Sequence, residues 1–594
     1  MAIALSFVLI VSLSLTTFAA WPSFQNDNTN NGIIPTSPPP PITAPSPSNV
    51  DEIPLTNNGA WIGVDVAPII YNDTVYTLHN GGDGAYLAST PLPGSTNPTW
   101  DVNIDPLAGS GDTQLSTPYA TTINNEDIIF VGTTHSVELF SALTYSGWTS
   151  APTNFIDGSG VATFPSTGGS VETTIELDDP VSTLTVQTNL NLISPTTSAS
   201  YLIELIDSNN VSYVLASYTI TSNANYGSTY DTYNGAQIPA GEYTLKITVT
   251  PSGGTVTAST FFLGGFNWQL NVVTDLDSLI PTWSIAQCII SGRISEDVAG
   301  EGQFNTPISY DNSGNGGYGN IYFGIWGGTH SYYQYTYLFK APPRSHLNVF
   351  TPTVAGSPSG YDDFYNAGAY SDGTNVYFGS DNGIVYQQPV SGFGSTAGNP
   401  LTLISSAGKI RSSMAFDGTS LYFTSQGTGS NAYIWRILPG QSSVSTADYT
   451  TISVSGTNVS TSSTPVISAN NYVYVGYNTT NLTSGGVVAY PKTFTSVAPG
   501  TAQITIYTGD PVQASPIVFS DDGVDYIYFT TNSYQGAGCC YFYDIGSNFA
   551  DELWSIAGTS GNPYAIQGFA ADFYDDVNYL VYGDDGNFLY IFSE

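Results

Sequence analysis

The sequence predicts an all-β protein, an eight-bladed β-propeller with an inserted β-sandwich, and three observations support that prediction. The 594 residues include 61 glycines and 42 tyrosines but only 9% charged residues, too few for the exposed faces of long amphipathic helices. A short two-strand pattern recurs at a spacing of about 40–50 residues, which is typical of propeller blades. The recurrence is interrupted once, between Pro118 and Pro307.

In each repeat a small residue, often followed by proline, leads into a short strand, and a second strand follows after a turn. The clearest copy is residues 515–518 followed by residues 526–529. In the fourth blade, Asp381-Asn382-Gly383 follows a strand pattern at Asn375–Gly379, and Asp/Asn-Gly pairs fit tight hairpin turns because they tolerate positive φ. The pattern places eight blade starts near Pro68, Pro118, Pro307, Ala367, Ser413, Pro465, Pro516 and Gly568.

The N-terminal residues have the pattern of an export signal. An apolar run over residues 3–15 is followed by small residues, so residues 1–20 are predicted to be a signal peptide cleaved near Ala20. An uncleaved membrane anchor is the alternative, since about 18–20 apolar residues can span a bilayer. No second hydrophobic span follows, so no membrane span is expected after cleavage. Residues 35–48 hold seven prolines and are predicted to form a stiff, extended connector.

The interruption of the repeat is predicted to hold an inserted domain at residues 154–273. Several stretches there alternate apolar and polar residues, and their number and spacing indicate a β-sandwich. The propeller is predicted to occupy residues 21–153, with the closing strand, the connector and blades 1–2, and residues 274–594, with the rest of blade 2 to blade 8.

Two stretches resemble known families. Trp21-Pro22-Ser23-Phe24, with Asp27 and Gly32 after it, resembles the opening of the PQQ-like (quinoprotein-type) β-propeller family. The resemblance implies that residues 21–27 supply the outermost strand of the last blade, whose C-terminal part stops one strand short. Residues 241–249 resemble a late strand of a carbohydrate-binding-module-like jelly roll, which implies a jelly-roll-like insert.

The chain is strongly acidic, with 8 basic residues against 46 acidic residues and a formal net charge of −38. It has no basic surface that could neutralise phosphates, so nucleic acid is excluded as a partner. The four histidines show no metal-ligand spacing, and no metal site is predicted. No nucleophile elbow, phosphate-binding glycine loop or zinc-protease motif is present, so no catalytic residue is assigned.

Two groups of residues are candidates for ligand binding. Lys409 and Arg411 lie at the start of blade 5, where inner strands line the axial channel, and could bind an anion or pair with local carboxylates. Tyr333, Tyr335 and Tyr337 alternate along one predicted strand, so they share one side of it. That side is either part of the core or a surface for stacking sugars or binding a partner.

Cys539 and Cys540 are adjacent, and a disulfide between them is predicted as one of two states, the other being free thiols. A quinone contact, which some quinoprotein dehydrogenases make through such a pair, is the less favoured role. On an exported chain, Asn-x-Ser/Thr sequons are candidate glycosylation sites. They are Asn72, Asn210, Asn458, Asn478 and Asn481.

These patterns predict a non-enzymatic extracellular protein, an attachment protein or envelope scaffold that binds surface glycan or protein and also self-assembles. In style it resembles cell-surface proteins of archaea or attachment proteins of archaeal viruses, and the sequence leaves cell and virion both open. The alternative is a secreted PQQ-dependent quinoprotein dehydrogenase, which would require PQQ and calcium. Under the favoured hypothesis no cofactor is expected.

Overall fold

The described part of the chain is entirely β. No helix occurs in it, and so none that could cross a membrane. The all-β prediction is therefore confirmed. The computed structural model describes residues 50–58, 62–93, 96–105, 114–123, 125–141, 149–150, 155–156, 161–164, 167–177, 181–193, 198–220, 226–239, 241–252, 255–274, 289–294, 302–312, 319–327, 331–335, 347–352, 362–395, 398–454, 457–494, 504–532, 539–546, 549–557, 570–574, 577–584 and 586–593.

The first half of the fold contains twenty strands. They are β1 (Val50–Pro54), β2 (Ile62–Gly63), β3 (Ile69–Tyr71), β4 (Thr74–Gly81), β5 (Ala85–Pro91), β6 (Trp100–Asp105), β7 (Gln114–Leu115), β8 (Tyr119–Ile123), β9 (Glu126–Ser141), β10 (Thr149–Ser150), β11 (Phe155–Ile156), β12 (Val161–Phe164), β13 (Gly169–Leu177), β14 (Val181–Ile193), β15 (Ala199–Asp207), β16 (Ser212–Ile220), β17 (Tyr226–Ile238), β18 (Gly241–Pro251), β19 (Thr255–Thr274) and β20 (Ile289–Ile294).

The second half contains strands β21 to β45. They are β21 (Gln303–Phe304), β22 (Ser309–Asp311), β23 (Asn320–Trp326), β24 (Tyr332–Tyr335), β25 (Leu347–Phe350), β26 (Tyr370–Ser371), β27 (Asn375–Gly379), β28 (Ile384–Pro389), β29 (Leu401–Thr402), β30 (Ala415–Phe416), β31 (Leu421–Ser425), β32 (Ala432–Ile437), β33 (Tyr449–Ile452), β34 (Val459–Ser460), β35 (Val466–Ile467), β36 (Tyr472–Thr479), β37 (Gly485–Pro491), β38 (Ile504–Gly509), β39 (Ile517–Asp521), β40 (Val524–Thr530), β41 (Cys539–Gly546), β42 (Phe549–Ala557), β43 (Ala570–Tyr574), β44 (Val577–Gly583) and β45 (Phe588–Ser593).

Most of these strands form small antiparallel sheets that follow one another along the chain. Sheet 1 contains β2–β6, sheet 3 β21–β25, sheet 4 β26–β29, sheet 5 β30–β33, sheet 6 β34–β38, sheet 7 β39–β42, and sheet 8 β43–β45 with β1. Sheet 2, made of β7–β9 with β19 and β20, is part of a larger sheet. Neighbouring strands in the sequence are thus neighbours in space, as a chain of hairpins requires.

Sheet 8 combines the two ends of the described chain. Its outer strand is β1, which pairs antiparallel with β45 from Val50 opposite Phe592 to Pro54 opposite Phe588. The sequence assigned this position to residues 21–27, which lie outside the described residues. Among the described residues, the strand that pairs with β45 at this edge is β1, which follows the proline-rich stretch. The signal peptide and the connector also lie outside the described residues.

Hydrophobic clusters fill the spaces between successive sheets. Aromatic side chains cross these spaces, as where Tyr332 of sheet 3 stacks on Phe378 of sheet 4 with ring centroids 3.8 Å apart. Sheet 8 packs against both sheet 7 and sheet 1, in one cluster that includes Ile53, Ile70, Ile517, Phe542, Val581 and Ile591. The approach to sheet 1 is close at Gly583, where a Cβ atom would lie 2.2 Å from a methyl carbon of Val64.

Buried hydroxyl groups link successive sheets near the start of their first strands. The Ser413 hydroxyl accepts a hydrogen bond from the Gly368 amide at 3.1 Å. The Thr464 hydroxyl accepts from the Ser413 amide at 3.0 Å, and the Ser515 hydroxyl from the Thr464 amide at 2.8 Å. These bonds join sheets 4, 5, 6 and 7 in order. They explain the small hydroxyl residue that precedes several predicted blade starts, because each satisfies a buried amide of its neighbour.

The inserted residues form two sheets. One has the strand order β10-β13-β18-β15-β16, and the other has the order β11-β12-β19-β14-β17. The long strands β9 and β19 belong to both the insert and sheet 2: β19 pairs with β9 from Val273 opposite Ile129 to Phe262 opposite Ser141. The C-terminal half of β19 therefore belongs to sheet 2, although the predicted domain boundary at residue 273 placed it in the insert.

An ion pair between sheets 5 and 6 gives a pH-dependent prediction. The Lys492 ammonium lies 2.6 Å from Asp417, which also accepts from the amides of Thr419 and Ser420. Burial alone would raise the pKa of Asp417, but Lys492 and the amides outweigh it, so the pKa lies below its ordinary value. A carboxylate whose pKa is lower in the folded state than in the unfolded state stabilises the fold at pH values above the unfolded-state pKa. This stabilisation is lost as the pH falls through the folded-state pKa.

Replacing Lys492 with glutamine is therefore expected to lower the free energy of unfolding by up to about 1 kcal/mol at neutral pH. The difference from the unaltered protein should shrink once the pH falls below about 4, where Asp417 of the unfolded chain takes up a proton, and should be lost as the pH falls through the lower pKa of the folded state. Urea unfolding at several pH values measures this. Lys246→Gln, which removes a more exposed pair with Glu172 in the insert, is the control. A difference that did not change with pH would rule out the ion pair as its cause.

Candidate functional site

Lys409 and Arg411 both pair with Asp381, which lies in the turn between β27 and β28. Arg411 donates from Nε to Oδ1 at 2.9 Å and from Nη2 to Oδ2 at 2.6 Å. The Lys409 ammonium lies 3.0 Å from Oδ2, and its side chain is 48% exposed against 8% for Asp381. Burial alone would lower the pKa of Arg411, but its hydrogen bonds and ion pair with Asp381 outweigh it, so the pKa is raised.

An aromatic stack continues from this ion pair. The Arg411 guanidinium lies 4.3 Å from the ring centroid of Tyr365, within the range of a cation–π interaction. Trp326, at the end of β23, packs edge-on against Tyr365 with ring centroids 5.4 Å apart. Burial raises the pKa of the Tyr365 hydroxyl. We call Trp326, Tyr365, Arg411, Asp381 and Lys409 the Asp381 cluster; it contains residues of three separate loops.

The charge balance of this region does not favour an anion. Asp363 accepts from the Gly327 amide at 3.0 Å, and Asp362 accepts from Asn382 and from the Tyr386 hydroxyl at 2.8 Å. Burial raises the pKa of Asp362. An anion would have to replace Asp381 among carboxylates that already outnumber the two cations. In the structure, Lys409 and Arg411 thus pair with a local carboxylate, which is the second of the two alternatives that the sequence left open.

Two of the three candidate tyrosines are in the core. Tyr333 is 1% exposed and Tyr335 4% exposed, and both belong to the cluster between sheets 2 and 3. Tyr333 stacks on Phe323 with ring centroids 5.2 Å apart. A side chain this buried cannot stack on a sugar, so at these positions the sugar-binding interpretation is wrong and the core interpretation holds. Tyr337 lies outside the described residues.

Cys539 and Cys540 are free thiols, the second of the two states that the sequence left open. They are the first residues of β41, where successive side chains point to opposite faces of the sheet. A bond between them would need a strained ring that an extended strand does not accommodate. Burial raises the pKa of both thiols and places that of Cys540 well above its usual range. Cys540 packs in the core against sheet 8.

The sequons divide into exposed and buried positions. Asn72 and Asn210 are exposed in turns with φ values of 49° and 64°, and Asn458 and Asn481 are exposed as well. Asn478, in contrast, is 6% exposed within β36 and donates a hydrogen bond to the Thr479 carbonyl at 2.9 Å. A glycan attached there would have no path to solvent, so the folded chain does not support the prediction at Asn478.

We therefore expect glycans at the exposed sequons and none at Asn478 when the chain is produced in a host that glycosylates such sequons. The neighbouring pair Asn478 and Asn481 makes the comparison internal, because both lie on one proteolytic fragment. Mass spectrometry of that fragment should show modification at Asn481 but not at Asn478, and Asn481→Gln should remove the modification at residue 481. Modification at Asn478 in folded protein would contradict the burial of this residue.

The structure also shows a polar pair that the sequence did not indicate. His79 Nε2 lies 2.8 Å from an Asp101 oxygen, and the Thr56 amide donates to the other at 2.7 Å. Burial alone would raise the pKa of Asp101, but His79 and Thr56 outweigh it and lower the pKa. His79 is 0% exposed, so the pair is not open to a substrate. Its partners meet only through the register of three strands, which no local sequence pattern reveals.

The described residues contain no group of three or more His, Cys, Asp or Glu side chains that could hold a metal ion. In the insert, Lys246 pairs with Glu172 at 2.7 Å across β18 and β13. Beyond these, the insert presents two exposed apolar side chains near one sheet edge, Val211 at 47% and Val214 at 46%.

No protein-family model matches the chain, and no curated protein matches it. Solved structures with weak similarity include the xylan-binding CBM22-1 domain of Paenibacillus barcinonensis Xyn10C, with 11% identity, 22% of this chain, 94% of that chain and a TM-score of 0.17. The WD40 β-propeller domain of Doa1 shows 12% identity over 46% of this chain and 89% of that chain, with a TM-score of 0.22.

A family two carbohydrate esterase from Cellvibrio japonicus shows 16% identity over 23% of this chain, with a TM-score of 0.15. The alignment spans about a third of the esterase, 34% of its length. The structural neighbours thus include a propeller domain and a carbohydrate-binding domain.

Proposed function

We propose that this chain is a non-enzymatic extracellular surface protein, an attachment protein or envelope scaffold that binds glycan or protein. A propeller serves as the platform, and the inserted sandwich projects from it. The observation that carries the proposal is the continuity of β9 and β19, which run from sheet 2 into the insert without a linker. A domain mounted in this way is held in a fixed position, which suits presentation of a binding surface.

The platform is an eight-bladed ring in this proposal, with sheets 1 to 8 as its blades. The packing of sheet 8 against both sheet 7 and sheet 1 supports it, as does the β1 strand that completes sheet 8. In such a ring the radial repetition of blades leaves only short, protected sheet edges in the platform. PQQ-like family membership and a carbohydrate-binding-module-like insert belong to the same proposal.

The insert and the Asp381 cluster share one face of such a ring. In sheet 2, β7 and β8 both pair with β9 and together take the place of a first strand, so the insert lies between the second strand, β9, and the third, β19. Asp381 lies in the turn between the second and third strands of sheet 4. In a ring of equivalent blades these connections emerge on the same side. The ligand-binding face then combines the projecting sandwich with Trp326 and its stacked neighbours, and the opposite face carries the other hairpin turns.

Replacing the insert with a short turn tests the proposal. Glu138 of β9 pairs directly with Gly264 of β19, so residues 139–263 can be exchanged for Asn-Gly to leave a two-residue hairpin and an intact sheet 2. Removing residues 154–273 instead would delete a strand of sheet 2. On a printed glycan array and on archaeal cells, the intact chain should bind and the shortened chain should not, while circular dichroism shows both folded. Undiminished binding by the folded, shortened chain would overturn the role of the insert.

A further inference from the structure

Strand β16 lies at the edge of one sheet of the insert. Among the described strands it is hydrogen-bonded only to β15. Residues 211–220 read Val-Ser-Tyr-Val-Leu-Ala-Ser-Tyr-Thr-Ile, with no charged residue, glycine or proline. Edge strands of natural proteins are usually kept from pairing with another chain by charges, prolines, short length or bulges. This nine-residue strand has a bulge at Leu215 but no charge and no proline, and its composition favours strand pairing.

The absence of charge is notable in a chain of net charge −38, in which most surfaces repel a second copy. The two nearest carboxylates are occupied within the same hairpin. Asp207 accepts from the Val211 amide at 2.7 Å, and Glu204 accepts from the Ser212 hydroxyl at 2.6 Å. Val211 and Val214 are about half exposed, 47% and 46%. A copy of this chain would therefore meet less repulsion at β16 than at an average part of its surface.

The strand is also self-complementary. If two copies pair antiparallel about a two-fold axis between residues 215 and 216, the opposed residues have similar chemistry in four of the five pairs. The opposed pairs are Val211 with Ile220, Ser212 with Thr219, Tyr213 with Tyr218, Val214 with Ser217, and Leu215 with Ala216. Hydroxyl faces hydroxyl, tyrosine faces tyrosine and a β-branched residue faces another at the ends, and such cross-strand pairs stabilise sheets. A two-fold interface requires this reciprocity.

A β-bulge at Leu215 makes this register compatible with the two faces of the sheet. β16 pairs with β15 at Val214 opposite Glu204 and at Ala216 opposite Ile203, which leaves Leu215 as the extra residue. Side chains alternate along a strand, so without a bulge residues 212 and 219 would lie on opposite faces. The extra residue shifts the alternation by one. Ser212, Val214, Ser217 and Thr219, all exposed, then share the outer face.

From these observations we propose that β16 is a self-association strand, which joins two copies of this chain edge to edge into one ten-stranded sheet across the two inserts. The proposal deepens the scaffold role proposed above and rests on it, because a projecting insert is what brings β16 within reach of a neighbour. The pairing of single strands buries less area than a standard interface, so we expect a weak and reversible dimer. Added salt should strengthen it, because salt screens repulsion between the acidic chains.

Sedimentation of the full-length chain over a range of concentrations tests the proposal. The unaltered chain should form dimers, and Val214→Lys should weaken the association at least tenfold by placing two ammonium groups at the two-fold axis. Leu438→Lys is the matched control, since Leu438 is 53% exposed and lies beyond β32 in sheet 5. A monomeric unaltered chain, or equal association of the unaltered and Val214→Lys chains, would overturn the proposal.

Cysteine pairs test the register. The double variant Ser212→Cys/Thr219→Cys should form a covalent dimer on mild oxidation, because these residues face each other. Ser212→Cys/Ser217→Cys, equally exposed but out of register, should not; cross-linking of both variants alike would contradict the register. Measuring Val214→Lys on the glycan array and on cells separates the proposal of self-association from the proposal of ligand binding. If the monomeric variant still binds, ligand binding does not depend on self-association. Loss of self-association alone therefore leaves the proposed function intact.

Discussion

Replacing Arg411 with alanine is expected to lower the free energy of unfolding by about 3 kcal/mol. Asp381 is 8% exposed and depends on Arg411 for two hydrogen bonds, at 2.9 and 2.6 Å. Without the guanidinium, the carboxylate stays buried and keeps only Lys409. The Tyr365 ring also loses the cation that lies 4.3 Å from its centroid. Chemical denaturation monitored by fluorescence measures the change.

Lys409→Ala is the matched control. Lys409 contacts the same carboxylate but is 48% exposed, so its loss should cost less than about 1 kcal/mol. The two variants differ mainly in burial and in the bidentate geometry that arginine alone supplies. If the two variants proved equally unstable, the proximity of positive charge would be enough to explain the stability of the region. The specific arrangement of Arg411 would then be unimportant.

The second large effect is expected at the strand that completes sheet 8. Ile53 of β1 is 0% exposed and packs in the cluster shared by sheets 7, 8 and 1. Ile53→Ala should lower the free energy of unfolding by about 3 kcal/mol, because it removes buried methyl groups and leaves a cavity. We also expect β1 to detach more readily, which hydrogen exchange of its amides would show.

The control for this experiment is the neighbouring residue. Glu52 lies on β1 with its side chain exposed, and Glu52→Gln should change stability by no more than about 0.5 kcal/mol. Accelerated exchange confined to β1 and β45 in the Ile53 variant would identify sheet 8 as the place where the fold opens first. Unchanged exchange with unchanged stability would mean that β1 contributes little to the closure of the fold.

The sequence predicted the strands well because their signals are local. Pro68, Pro118, Pro465 and Pro516 each immediately precede the first residue of a strand. Proline has no amide hydrogen to donate, so it is found at the start of a strand rather than inside one. At Ala367 and Ser413, where no proline marks the start, the strand begins a few residues later, at Tyr370 and Ala415.

The candidate site could not be predicted in the same way because its contacts are not local. Arg411 and Asp381 are 30 residues apart, and they meet only because two loops end side by side. The pairing of Lys409 and Arg411 with a carboxylate was foreseen as one alternative, but the identity of the carboxylate was not. The prediction that tyrosines of β24 form a binding surface was wrong because both sides of that strand are covered. Every residue from Tyr332 to Tyr335 is buried.

For the proposed self-association strand, the sequence pattern is local but its meaning depends on the fold. Its near-palindrome can be read in residues 211–220, but it has meaning only once β16 is found at a sheet edge with a bulge at Leu215. The same ten residues in the middle of a sheet would be ordinary core-forming sequence. A local pattern thus becomes evidence for a partner only when the fold leaves it unpaired.

The shared strands β9 and β19 have a mechanical consequence. If a ligand binds the insert as proposed, a pull on it draws β9 and β19 in the same direction, and the hydrogen bonds that join this pair of strands to β7, β8 and β20 are then loaded together, in shear. Bonds loaded together resist more force than bonds that open one after another. A flexible linker would stretch before it transmitted any load, whereas this mounting passes tension directly into sheet 2, which is packed between sheets 1 and 3. Under pulling, we expect the contact with the ligand to break before the mounting does.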